Sequence, residues 1–162
     1  MCLNTGIKSS TRKEISYHRR RIYGNSMCYD AINNPIEYAR EVVGRDPMAT
    51  FLGISVEEVR KGYARCSLTV QPDYLNALER AHGIVIHAVA DQAFAVAANS
   101  TGSSAMAMHF TINYIAGAID GEKIFSEAIP VNLGKKVSLW KIEVRGSSDR
   151  LLALCEGIAY HK

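Results

Sequence analysis

Hydrophobic positions crowd most densely between Ile84 and Ala98, where Ala, Val, Ile and Phe are interrupted only by His87, Asp91 and Gln92. Apolar residues on every side predict a helix that is buried nearly all round. Around it the period falls to two. Ala64, Cys66, Leu68 and Val70 alternate with Arg65, Ser67 and Thr69, the signature of a half-buried strand. With ISVEEVRKG before it, this reads as a hairpin turned at Lys61-Gly62. After Gly102-Ser103-Ser104 comes AMAMHFTINYIAG, in which Met106, Met108, Phe110, Ile112 and Tyr114 are expected on one face. EKIFSEAIPVN, VSLWKIEVRG and RLLALCEGIAYHK follow as three further strands, separated by the turn-forming runs Gly134-Lys135-Lys136 and Gly146-Ser147-Ser148-Asp149. Upstream, NPIEYAREVVG has an Asn cap, a Pro at the first helical position and Gly44 as a stop, which predicts an amphipathic helix. Asp46-Pro47 then opens a short turn. Two strands, a long helix and four strands make an α+β domain, and the simplest packing wraps an antiparallel sheet around the helix.

Composition changes this picture only at the edges. With 162 residues and 48% hydrophobic content, one domain can bury about 70% of the unfolded chain's surface. The central apolar run is shorter than the roughly 20 residues of a membrane span, so no membrane partner is expected. Cys2, Cys28, Cys66 and Cys155 form no CxxC pair and no metal-ligand spacing; reduced core thiols in a cytoplasmic protein fit them best. The net charge of +3 is uneven: residues 1–28 carry +5, from Lys8, Arg12, Lys13 and the run Arg19 to Arg21 against Glu14, which leaves −2 on residues 29–162. The domain therefore has no basic face for nucleic acid. The arm reads as a disordered tail, an extension ahead of a start at Met27, or a binding arm; it lacks the apolar stretch of an export signal.

Two features of the central segment suggest chemistry. Asp91 is the one acid in an apolar helix, and desolvating a carboxylate is costly unless it is paired or kept for reaction. It either caps or pairs structurally or acts as a base or nucleophile. His82-Gly83 marks the helix start, where unpaired N–H groups carry the positive end of the dipole. Gly83 is thus a turn glycine or an oxyanion donor, and Asn76 is either loop chemistry or a polar group at the site. His87, four residues before Asp91, shares its face and is either a satisfied core histidine or a partner of the acid.

The pattern N-x5-H-G-x7-D, here Asn76, His82, Gly83 and Asp91, followed by A-x-A-x-x-A-N-S through Ser100, resembles the PaaI-type acyl-CoA thioesterases of the hotdog fold, within the 4-hydroxybenzoyl-CoA thioesterase superfamily. The likeness runs from Met48 to His161 and includes LGI at Leu52, T-I-N-Y ending at Tyr114 and a closing L-x-E-G-x-A-Y around Gly157. It implies hydrolysis of an acyl-CoA thioester without a metal or separate cofactor, coenzyme A being part of the substrate. Asp91 would be the general base or nucleophile, Gly83 the oxyanion donor, Asn76 the group orienting water or carbonyl, and His82 a support for the loop. A homodimer, assembling to a homotetramer, is implied, with Asn76 and Gly83 of one chain facing Asp91 of the other. The chain departs from H-G-G at Ile84, a side chain that either narrows the acyl tunnel or alters approach to the helix start, and His87 is grouped with it as substrate-binding. Relatives' water-holding Ser or Thr after the helix is missing across Ala105 to Met108, leaving Asn76 or His109 as substitutes. Lys135 and Lys136 resemble the family's G-[RK] element near the coenzyme A phosphates, although turn lysines also serve as a solvated tip.

Two other functions suit the same fold. A hydratase or dehydratase needs a His and an acid on opposite sides of a Cα–Cβ bond. A non-catalytic acyl-CoA sensor would bind without releasing thiol. The context of Asp91 favours hydrolysis.

Overall fold

The computed structural model describes residues 31–162, so the basic arm of residues 1–28 lies outside the described residues. The expected entry helix is present in two parts, α1 (Pro35–Tyr38) and a π-helical continuation over Ala39–Val43. The short turn expected at Asp46-Pro47 is instead a helix, α2 (Pro47–Phe51). Asp46 caps it by accepting the Ala49 N–H at 2.8 Å, and Pro47 presets its first residue.

Strands β1 (Ser55–Arg60) and β2 (Tyr63–Thr69) form the expected hairpin. The long helix α3 (Gly83–Asn99) follows, and then β3 (Ala105–Tyr114), β4 (Lys123–Leu133), β5 (Val137–Arg145) and β6 (Leu151–His161). All pairings are antiparallel and the strand order is β1-β2-β4-β5-β6-β3, which leaves β1 and β3 as edges.

The core lies between α3 and the sheet, where Trp140, Phe94, Leu68, Ile124 and Leu152 are fully buried. Phe94 rests on β6 at Gly157, where any Cβ would come within 2.9 Å of its ring, so this strand position has to be glycine. Several buried polar groups are paired, although the Ser126 hydroxyl has no partner among the described residues. Ser138 Oγ accepts from Trp140 Nε1 (2.6 Å) and contacts His161 Nε2 (2.6 Å), whose Nδ1 meets Ser103 Oγ at 2.9 Å. Cys66 and Cys155 are buried as expected, and burial pushes both thiols up to about 12, so both stay protonated.

Two patterns differ from the sequence reading. The long helix is not enclosed on every side: Ile84 is 68% exposed, and His87, Ala88, Asp91 and Ala95 are only partly covered. The spacing of these positions puts them on one stripe. A single sheet and the entry helix cannot surround a cylinder, so a largely apolar face stays open. In β3, a bulge between Ala107 and His109 leaves Met108 as the extra residue. Met106 pairs with Tyr160, whereas Phe110 pairs with Gly157 on the helix-facing side. The five expected residues therefore do not share a face, because one inserted residue reverses the alternation.

Candidate active site

The first turn of α3 is built by the loop before it. Asn76 Oδ1 accepts from the N–H groups of Leu78 (2.8 Å) and Arg80 (3.2 Å), closing a tight loop, and the His82 N–H donates to Tyr74 O at 2.7 Å. His82 then caps the helix with its ring: Nδ1 accepts the Ile84 N–H at 3.2 Å, and its carbonyl accepts from Val85 at 2.9 Å. The Gly83 N–H is left without an acceptor among the described residues. That free donor sits at the positive end of a 17-residue helix, the geometry that stabilises a developing oxyanion. Asn76 uses its oxygen in the loop, and among the described residues no hydrogen bond engages its amide NH2.

Sequence reasoning missed the support beneath Gly83. The Tyr114 hydroxyl donates to Gly83 O at 3.1 Å, and a Cβ on Gly83 would meet the Tyr114 ring at 3.1 to 3.4 Å. Tyr114 thus fixes the peptide whose neighbouring N–H is free. In the sequence it stood only in an apolar alternation and at the end of the T-I-N-Y run, neither of which pointed to Gly83.

Asp91 lies two turns further along α3, half-buried. Desolvation raises its pKa above the usual carboxylate range; His87 opposes the rise and Asp46 adds to it. Two cavities border it. One, of about 390 Å³, runs toward the helix C-terminus between Tyr38, Val42, Phe94, Asn99 and Met106. The other, of about 330 Å³, lies against α2 and is lined by Met48, Leu52, Ile54, Ile84, His87 and Ala88. Ile84 and His87 thus form part of an apolar wall, and the His87 ring also packs edge-on against Phe110 with centroids 4.8 Å apart.

The remaining candidates lie elsewhere. Lys135 and Lys136 are at the β4–β5 turn, where Lys136 O accepts from His161 N and its ammonium stands 5.7 Å over the Tyr160 ring. This is the end of the sheet beside the C-terminus of α3, remote from Gly83 in the same chain. His109 pairs with Ile158 on the sheet face turned away from α3. Among the described residues, no group of three His, Cys, Asp or Glu side chains is arranged to hold a metal ion, and no helix is long and apolar enough to cross a membrane.

The thioesterase superfamily model matches residues 79–153, which takes in the start of α3, Asp91 and most of the sheet. A protein of Archaeoglobus fulgidus classed among esterases is 39% identical over 115 residues, covering 71% of this chain and 75% of the relative. Acyl-coenzyme A thioesterase PaaI of Escherichia coli is 30% identical over 119 residues, 74% of this chain and 85% of its own. The solved structure of that PaaI protein superposes with a TM-score of 0.71 over 72% of this chain and 85% of its own. A Streptococcus mutans protein solved with acetyl-CoA has the same fold, with a TM-score of 0.65 and 21% identity over 67% of this chain and 88% of its own.

Proposed function

The chain belongs to the thioesterase superfamily and is a thioester hydrolase of the hotdog fold, and on that basis we propose that it cleaves an acyl-coenzyme A at a site shared between two copies of the chain. The observation that carries the shared site is a separation. Gly83 and Asp91 are eight residues apart on one helix, about 12 Å at 1.5 Å per residue. A donor and an acid at that distance cannot serve the same carbonyl, whereas a second helix running the opposite way brings the start of one beside the middle of the other. β3 supplies the means. It is a ten-residue edge strand with an exposed Met108 and Tyr114, and its Phe110 touches the open stripe of α3 through His87. Unpaired edges invite continuation into another copy.

In this reading the thioester oxygen accepts from Gly83 N–H, with the Asn76 amide as a second donor. Asp91 of the facing copy removes a proton from water as the water oxygen bonds to the carbonyl carbon. The tetrahedral oxyanion then collapses, the C–S bond breaks, and the proton passes from Asp91 to the leaving sulfur. A desolvated carboxylate is a stronger base than one in water, which suits Asp91 to this step. His82 contributes by occupying the Ile84 N–H, so that Gly83 alone offers a free one. Ile84 and His87 border the acyl group in the apolar cavity, whose volume is about twice the roughly 150 Å³ that holds a benzene ring; aryl or medium-length acyl groups fit it. Lys135 and Lys136 have no place at this carbonyl within one chain.

A thiol-release assay across aryl, medium-chain and acetyl-CoA tests the reading. Turnover of an aryl or medium-chain substrate is expected. Tight binding without thiol release would make the protein a sensor. A single turnover in ¹⁸O-labelled water tests the base role, since only a nucleophilic Asp91 would retain label in its side chain.

A further inference from the structure

Asp46 and Asp91 are the two residues that border both cavities. A carboxylate from α3 and another from the cap of α2 therefore stand side by side between the two cavities. Asp46 is held in place because its Oδ1 accepts the Ala49 N–H at 2.8 Å, while its other oxygen meets no donor among the described residues. The side-chain amides that line these cavities are committed. Gln92 Nε2 donates to Val43 O at 2.7 Å, and Asn99 Nδ2 donates to Ala95 O and Ala105 O. Around the pair stand His87 from α3 and Tyr38 from α1. Arg45, next to Asp46 in sequence, is turned to Glu41 at 3.1 Å and leaves Asp46 without a cation.

We propose that Asp46 is a positioning residue for hydrolysis: its free oxygen accepts a hydrogen bond from one O–H of the attacking water while Asp91 removes the proton of the other. This rests on Asp91 being the base. A water molecule has two protons, and a base fixes only one of them, so the molecule can still rotate about that bond. A second acceptor beside Asp91 fixes the plane of the water and aims a lone pair at the carbonyl carbon. Asp46 keeps its hydrogen bond throughout and gains no proton. Its charge also adds to the upward displacement of the Asp91 pKa.

The test is Asp46→Asn beside Asp91→Asn, with kcat followed against pH. Asn caps a helix as well as Asp does, so α2 and the Tm should be kept, yet the amide presents N–H where the water needs an acceptor. A plateau kcat lower by roughly tenfold, an unchanged KM and an acidic limb moved to lower pH are expected, because losing the like charge lets Asp91 ionise more easily. An unmoved limb overturns the proposal, whether kcat is normal or has fallen together with Tm. If Asp46→Asn is insoluble, Asp46→Ser, another good cap too short to reach the water, gives the same readout. Full turnover in Asp91→Asn would remove the base itself, whereas an inactive Asp91→Asn beside a normal Asp46→Asn removes only the role of Asp46.

Discussion

On the half-buried face of α3 an aspartate stands where alanine would pack more cheaply, and the cost of keeping Asp91 ionised there is measurable. Its pKa is raised above the ordinary carboxylate value of 3.8, chiefly by burial. A raised folded-state value means that the group favours the folded protein below pH 3.8 and that this advantage is lost as pH rises through the folded value. Asp91→Asn, which never carries the charge, should therefore have a higher Tm than the wild type at pH 7 and no advantage below pH 3.8. The same variant should lose about 10²- to 10⁴-fold in kcat. Calorimetry at both pH values alongside kinetics checks the pair. A variant that is both less stable at pH 7 and fully active would mean that Asp91 has a structural role.

The first turn of α3 separates what a backbone N–H contributes from what a side chain obstructs. Gly83 is the first helical residue, His82 before it has extended dihedrals (φ −59°, ψ 140°), and the Gly83 N–H makes no bond. Proline is tolerated at such a position. Gly83→Ala and Gly83→Pro both add a Cβ against Tyr114, but only the second removes the donor. Their kcat values should differ by about 10²- to 10³-fold, with similar circular dichroism. Equal kcat values would take the N–H out of the mechanism. On β6, Gly157→Ala should cost about 1 to 3 kcal/mol of stability, since the added Cβ would come within 2.9 Å of the Phe94 ring and force it to shift; chemical denaturation measures it. These elements also show what could be read beforehand. The apolar run of α3, its lone acid and the glycine at its start announced themselves, because burial and backbone need leave marks in composition. Helix α2 did not, since five residues led by Asp-Pro read equally well as a turn. The bulge at Met108 was invisible because a period of two carries no record of an inserted residue. Asp46 escaped notice as a site residue for a related reason: its proximity to Asp91 comes from the packing of α2 on α3, not from sequence spacing.

For the molecule as a whole, the open stripe of α3 and the free edge of β3 make the single chain incomplete. Neither Asn76→Ala nor Asp91→Ala should turn over well alone. A co-refolded hybrid of the two would hold one doubly damaged site and one intact site, and should recover about half of wild-type activity per dimer if the sites act independently. Verified hybrids as inactive as their parents would argue against a shared site. Exposed Ile129, Val131 and Val137 on β4 and β5 offer a second surface for the pairing of dimers into a tetramer, which light scattering would detect as a mass four times that of the chain. The 12 Å between Gly83 and Asp91 also bears on inheritance. Were this gene duplicated in tandem and the two halves paired with each other, selection could hold the glycine in one half and the acid in the other. The two forsaken positions would then be free to drift, and a symmetric enzyme would decay into a single-site one without passing through an inactive ancestor.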